Sequence, residues 1–194
     1  MTKIKFPAIA GQLLPALAYA AIADELQPVP SDSFQSVAWL EQPGAAFVTL
    51  TIRDDAGDRA LRGSAGSLLA QRSLREDVCS NARTAAFHDS RFMPLTIDEL
   101  PNISIEVSVL TEPEQLDFDT EEDALAQLRP GVDGVIFQTS SAQATFLPQM
   151  WNELAHPAEF LQHLRRKARL RFDYWGTDVK LFTYQVVTFP SQNV

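Results

Sequence analysis

The chain has 194 residues, 45% of them hydrophobic and 21% charged, which is enough apolar material for one large domain with a packed core. Its formal net charge of -9 gives it no general attraction for phosphate backbones or anionic lipids, so we expect neither a nucleic-acid-binding nor a membrane-associated protein. Cys79 is the only cysteine, which excludes a disulfide within the chain and fits a reducing compartment without establishing one.

The apolar N-terminal stretch allows two interpretations. Lys3 and Lys5 precede it, and the small residues at 18–20 resemble a signal-peptide cleavage site. Alternatively, residues 15–26 form a surface helix with Pro15 in the first turn. The stretch is too short and too interrupted to span a bilayer, and we favour the helix.

Three elements follow in the first half of the chain. Residues 27–45 are rich in turn formers and predict a connecting segment. Residues 46–52 predict an internal strand, because both of its faces are partly apolar. The chain is expected to turn back through residues 62–66 and to enter a helix over 74–88, with Ser73 as the N-cap.

The second half alternates strand and helix patterns without regular helical crossovers. Strict alternation predicts a strand over 103–109, and an acidic connection over 112–123 leads to a short helix. The remaining predicted elements are a hairpin over 134–147, a helix from Pro157 that ends in the basic run 165–171, and one long strand over 179–189. The expected fold class is α+β, with a mostly antiparallel mixed sheet flanked by helices. We interpret the basic run as a solvated helix face near a helix C-terminus.

The sequence contains no pattern typical of a metal or cofactor site. His88, His156 and His163 are scattered, and one cysteine cannot form a zinc knuckle. The glycine pair in residues 63–66 lacks both the Lys-Ser/Thr ending of a Walker loop and the third glycine of a dinucleotide loop. We therefore predict no metal and no cofactor.

The best candidate for a functional site surrounds Arg62. An arginine beside a glycine can present its planar fork to a carboxylate or a phosphate. The alternative is an internal salt bridge, with Glu106 on the polar face of the strand over 103–109. A catalytic Ser64 would need a base, for which His88 is the closest histidine in sequence, so the catalytic residue stays unknown. The candidate ligand-binding residues are Arg62, Gly63, Ser64, Gly66, Arg91 and Glu106.

Many ordered stretches together resemble the AMMECR domain family, which is component A of the AmmeMemoRadiSam set. The resemblance extends from about Leu13 to Phe189. The stretches that carry it include Phe47-Val48-Thr49-Leu50, Leu61-Arg62-Gly63, Asn81-Ala82, Arg91-Phe92, Glu106-Val107-Ser108-Val109-Leu110, Gly131-Val132-Asp133-Gly134, Thr145-Phe146-Leu147-Pro148-Gln149 and Lys167-Ala168.

The resemblance implies a single AMMECR domain over residues 1–194, with a larger and a smaller lobe and with the Arg62 stretch facing a cleft between them. It also implies a cytoplasmic protein whose partners are Memo-type and radical SAM proteins. The family motif reads Leu-Arg-Gly-Cys-Ile-Gly, whereas this chain has Ser64 and Ala65 at the fourth and fifth positions. Thiolate chemistry is therefore absent from the motif.

Two functional hypotheses stay open at this point. One is a binding or adaptor module that acts with the Memo-type and radical SAM proteins. The other is a small enzyme that acts on an anionic substrate in the cleft, with Arg62 as the anion clamp and Glu106 or His88 as the acid or base.

Overall fold

The computed structural model describes residues 6–28, 37–53 and 57–191. Lys3 and Lys5, residues 29–36 of the expected connecting segment and residues 54–56 lie outside these ranges. The chain divides into two compact units, one of residues 1–110 with 187–194 and the other of residues 111–186.

The described residues form four α-helices and ten β-strands. In chain order they are Ala10–Leu26 (α1), Pro43–Gly44 (β1), Ala46–Arg53 (β2), Arg59–Gly66 (β3), Arg72–Ser73 (β4), Leu74–Phe87 (α2), Ile103–Leu110 (β5), Glu114–Leu116 (β6), Glu121–Gln127 (α3), Gly134–Gln138 (β7), Gln143–Phe146 (β8), Pro157–Lys167 (α4), Lys180–Tyr184 (β9) and Val186–Pro190 (β10). The two larger sheets have antiparallel pairs and are accompanied by helices, which confirms the predicted α+β class.

The first unit is built on a four-stranded sheet of order β10-β5-β2-β3. Strand β2 pairs antiparallel with both β3 and β5. Along β2, Val48 and Leu50 are fully buried and share one apolar cluster with Val78 and Ala82 of α2, while Thr49 points to the opposite face. One face of this sheet therefore packs on the helices, and the other carries polar side chains.

Helix α1 confirms the helical interpretation of the N-terminal stretch but begins earlier than expected. It starts at Ala10, so Pro15 lies inside the helix rather than in its first turn. Leu14, Ala18 and Ile22 have no exposed surface and belong to the core of the first unit. No helix in the described part of the chain has both the length and the apolar character needed to cross a membrane.

The second unit contains a four-stranded sheet of order β6-β9-β7-β8. Its core includes Phe137 and Phe160, and the rings of Trp151 and Phe160 stack with their centroids 3.8 Å apart. The predicted hairpin is confirmed as β7 and β8.

The prediction of one strand over 179–189 is wrong. The chain breaks between Tyr184 and Val186, because β9 pairs with β6 and β7 whereas β10 joins the sheet of the first unit. Gln185 lies at this break, and its backbone N–H donates to the hydroxyl of Thr111 at 2.8 Å. An unbroken β pattern in the sequence cannot reveal that its two halves pair in different sheets.

Candidate functional site

The Arg62 stretch lies inside the edge strand β3, which runs antiparallel to β2 and so returns the chain along it as expected. Gly63 pairs with Leu50, but one step further Leu61 pairs with Thr51, so Arg62 is an additional residue on β3. This is a β-bulge, a feature that twists a strand locally and redirects a side chain. The bulge explains how Arg62 can leave the alternation of the strand and reach the loop after α2.

The two glycines of the motif permit close approach rather than an unusual backbone conformation. Neither has a positive φ angle. A Cβ atom on Gly63 would lie 2.1 Å from the carbonyl oxygen of Ala85 in α2, and one on Gly66 would lie 2.2 Å from the ring of Phe47. The need for glycine at both positions comes from the packing of β3 on α2 and on Phe47.

Arg62 forms an internal salt bridge, but with Glu99 rather than with Glu106. Its Nε and Nη2 atoms donate to the two carboxylate oxygens of Glu99 at 2.8 and 3.0 Å. The side chains are 11% and 29% exposed, respectively. Glu99 also accepts the backbone N–H and the hydroxyl of Thr96. The guanidinium of Arg62, assisted by these bonds, lowers the pKa of Glu99 to about 2.

A second carboxylate fixes the backbone of Ser64. Asp89 accepts the Ser64 N–H at 2.9 Å and binds the guanidinium of Arg91 through both of its oxygens, at 2.9 and 2.6 Å. The Asp89 side chain is only 6% exposed. The bonds from Arg91, followed by the one from Ser64, lower the pKa of Asp89 well below its usual range. The predicted site residues Ser64 and Arg91 are thus connected through an acid that the sequence did not single out.

These two carboxylates hold the loop of residues 88–102 against β3. Leu95 and Leu100 bury their side chains in the core of the first unit, and the Leu95 N–H donates to the carbonyl of Ala86 at 2.8 Å. On either side of the buried Leu95, Met93 is 80% exposed and Ile97 is 41% exposed. The loop therefore presents apolar side chains to solvent on a fixed backbone.

The ring of Phe92 lies between the two arginines of the site. The guanidinium carbon of Arg62 is 5.9 Å from the ring centroid, and that of Arg91 is 5.5 Å from it. The Nη1 atom of Arg62 is buried and has no hydrogen-bond partner among the described residues. The structure therefore brings Arg62, Ser64 and Arg91 together with Phe92, whereas Glu106 is not part of the ion pair.

Glu106 instead belongs to a polar row on the face of the sheet away from the helices. Both Ser64 and Glu106 stand opposite Thr49, one on each neighbouring strand. The Ser64 and Thr49 hydroxyls are 3.2 Å apart. Because paired strands lie about 5 Å apart, the backbones of Ser64 and Glu106 are roughly 10 Å from each other. Within the described ranges, the Ser64 hydroxyl thus has a threonine, and no base, as its hydrogen-bond partner.

Among the described residues, neither a metal-binding cluster nor the cavity of the first unit coincides with this site. In residues 6–28, 37–53 and 57–191, no group of three or more His, Cys, Asp or Glu side chains is arranged to hold a metal ion. A cavity of about 780 Å³ lies in the first unit between α1 and the beginning of β5. None of the six predicted ligand-binding residues lines it.

Sequence reasoning missed the most connected buried acid of the first unit, Asp77. Its carboxylate is 1% exposed. It accepts the Ala46 N–H, the Ser67 hydroxyl, the Arg72 guanidinium and the Asn81 amide at 2.7–3.0 Å. The available signal was position, since Asp77 lies three residues after the apolar Leu74 and four before Asn81, on one face of α2.

Comparison with known proteins agrees with this architecture. A sequence profile of the AMMECR1 family matches residues 15–189. A protein of Thermofilum pendens is 34% identical over 191 residues, covering 92% of this chain and 88% of its own, and a protein of Saccharolobus solfataricus is 36% identical over 183 residues, covering 92% and 80%. The crystal structure of an uncharacterized protein from Pyrococcus horikoshii superposes with a TM-score of 0.69 at 30% identity, covering 92% of this chain and 89% of that one. The chain belongs to the AMMECR1 family.

Proposed function

We propose that the protein is a cytoplasmic binding or adaptor module that acts with Memo-type and radical SAM proteins of the AmmeMemoRadiSam set. In this proposal the loop of residues 88–102 is the recognition segment. The Arg62 stretch is the structural support that holds this loop in place.

The observation that carries the proposal is the bidentate bond between Arg62 and Glu99. An anion clamp needs a free guanidinium fork, and here the fork is already occupied by a carboxylate from the same unit. The Ser64 N–H is likewise occupied by Asp89. Two groups that could have bound a ligand instead stabilise the loop, which favours a binding surface over a catalytic pocket.

The chemistry of the loop supports protein recognition. Met93 and Ile97 are exposed apolar side chains on a fixed loop. The bonds of Asp89 hold the loop before Met93, and the buried Leu95 and Leu100 hold it after Met93. Arg91, two residues before Met93 in the same loop, has a side chain that is 53% exposed. Exposed apolar groups flanked by arginine are typical of the centre of protein–protein interfaces, where methionine and arginine are enriched. A fixed loop also loses little conformational entropy on binding.

The experiment is a binding titration with purified Memo-type and radical SAM proteins of the same organism. The double variant Met93→Ser/Ile97→Ser should weaken binding at least tenfold, because it removes apolar contacts and leaves the buried anchors intact. The matched control is Leu68→Ser/Leu69→Ser, which removes two exposed leucines outside the loop and should change binding less than twofold. Equal binding by both double variants and the parent would contradict the proposal.

A second candidate function is a small enzyme that acts on an anionic substrate. The unpartnered Nη1 atom of Arg62 favours it, since this nitrogen keeps two unused donors. A substrate would have to displace Glu99, and Ser64 would have to reach Glu106 through Thr49. Hydrolysis of p-nitrophenyl phosphate or p-nitrophenyl acetate that is lost in Ser64→Ala would support the enzyme, and equal turnover by both proteins would count against it.

A further inference from the structure

The end of α4 has an arginine where a glycine is usual. Arg169 has a φ angle of 61°, and it is the single non-glycine residue with positive φ among those that the structure describes. The Arg169 N–H donates to the carbonyl of Arg166 at 2.9 Å, and the Leu170 N–H donates to that of Arg165 at 3.0 Å. This pair of bonds is the Schellman motif, whose left-handed position strongly favours glycine. The local fold therefore gives no reason for an arginine at this position.

The segment that follows is fixed from the inside by Arg165. The side chain of Arg165 is 3% exposed. It donates to the carbonyl of Phe172 at 2.9 Å and pairs with Glu121. Its guanidinium carbon also lies 5.4 Å from the ring centroid of Trp175. The backbone of residues 169–172 is consequently held in place, and its outward side chains project from a rigid base.

Three cations and one aromatic ring project from this segment and from the last turn of α4 before it. Arg166 and Arg169 are exposed, and neither side chain has a hydrogen bond or an ion pair to any described residue. Arg171, whose side chain is 81% exposed, pairs with Asp173. Phe172 is 52% exposed. The helix dipole favours cations at this end, but it does not account for the left-handed arginine or for the exposed ring.

We infer that the surface formed by Arg166, Arg169, Arg171 and Phe172 binds an acidic segment of a protein partner. Charge complementarity carries the inference, because two unneutralised guanidinium groups on a fixed backbone can form charge-assisted hydrogen bonds with carboxylates. A nucleic acid fits less well, since a chain with a net charge of -9 repels a long polyanion beyond the contact. This surface lies in the second unit, so the inference goes beyond the recognition loop of the first unit and does not depend on it.

The test uses a fluorescein-labelled peptide of ten glutamates and fluorescence anisotropy. We expect binding by the full chain at 50 mM NaCl that weakens at 300 mM NaCl, because exposed charges are screened. The variant Arg166→Gln/Arg169→Gln should bind at least fivefold more weakly. The control Arg53→Gln/Arg59→Gln removes two exposed arginines from the first unit and should bind within twofold of the parent.

A further variant separates binding from folding. Arg169→Gly suits the left-handed position, so its melting temperature should equal or exceed that of the parent while peptide binding falls. Absence of peptide binding by the parent would overturn the inference. Equal binding by the parent, by Arg166→Gln/Arg169→Gln and by Arg169→Gly would also overturn it. Tighter binding to a 20-base-pair DNA duplex or to phosphatidylserine vesicles than to the peptide would also overturn it.

Discussion

Replacing Glu99 by glutamine tests the assignment of the Arg62 partner. The substitution keeps the size of the side chain and removes the charge that Arg62 and Thr96 face. Lowering the pKa of Glu99 from 4.5 to about 2 corresponds to an upper limit of about 3 kcal/mol. Because the Glu99 side chain is 29% exposed, solvent screening reduces the expected loss in the free energy of unfolding to about 1–2 kcal/mol. For a chain of this length that loss lowers the melting temperature by about 2–8 °C.

The pH dependence of the free energy of unfolding tests the Arg62–Glu99 ion pair independently. The folded pKa of Glu99 is depressed, so its stabilisation is fully present above the ordinary pKa of 4.5 and is lost as the pH falls towards about 2. The difference in stability between the parent and Glu99→Gln should therefore be constant above about pH 5.5 and should shrink between about pH 4.5 and pH 2. Urea denaturation followed by circular dichroism at several pH values measures both quantities.

Glu106→Gln is the matched control, because it makes the same chemical change at the carboxylate that the sequence favoured as the partner. Glu106 is exposed and forms no salt bridge in the described part of the chain, so the free energy of unfolding should change by less than about 0.5 kcal/mol. A larger loss in Glu106→Gln than in Glu99→Gln would refute the assignment. So would a stability of Glu99→Gln that equals the parent at neutral pH.

Three further substitutions or probes test the packing around the site. Gly63→Ala should lower the free energy of unfolding by about 1–3 kcal/mol, because the new Cβ would lie 2.1 Å from the Ala85 carbonyl oxygen. The control Gly11→Ala, whose Cβ would lie 4.0 Å from Phe189, should be neutral or stabilising. Equal melting curves for the two variants would contradict this prediction. Asp77→Asn should lower the free energy of unfolding, measured by urea denaturation, by about 1–3 kcal/mol, because four donors converge on a buried carboxylate. A loss below about 0.5 kcal/mol, as is typical of surface substitutions, would show that this network is not stabilising. Labelling of Cys79 by a disulfide reagent at pH 7.5 should be slow in the folded protein and fast in urea, because burial raises the pKa of the thiol; fast labelling of the folded protein would indicate a reactive cysteine.

Local patterns in the sequence were sufficient for most elements. The alternation over 103–109 and the Ser73–Glu76 capping box both predicted what the structure contains, namely β5 and the start of α2. These signals are local, because each depends on residues within one strand or within one helical turn.

The errors concern pairings between distant segments. The bulge at Arg62 depends on how β3 pairs with β2, and a single extra residue on β3 cannot be recognised from the sequence of either strand alone. Glu99, the partner of Arg62, lies 37 residues further along the chain, so no local pattern connects the two residues. The sequence favoured Glu106 because the strand over 103–109 shows the strictest alternation. In the structure Glu106 pairs with Thr49 and belongs to the polar face of the sheet, whereas Arg62 lies at the bulge of β3 and leaves the alternation of that strand.

The departure of this chain from the family motif is consistent with a structural role for the positions that it keeps. Arg62 forms a bidentate ion pair with Glu99. Gly63 leaves room for the backbone of α2, and Gly66 leaves room for the ring of Phe47. Each retained residue therefore has a physical reason that a different side chain would not satisfy. Ser64 contributes its backbone N–H to Asp89, and any residue except proline can donate that bond. The only side-chain bond at this position is the hydroxyl contact with Thr49 in the described part of the chain. A change from cysteine to serine there leaves the support of the loop intact, which is what a binding module requires and what a thiolate enzyme would not tolerate.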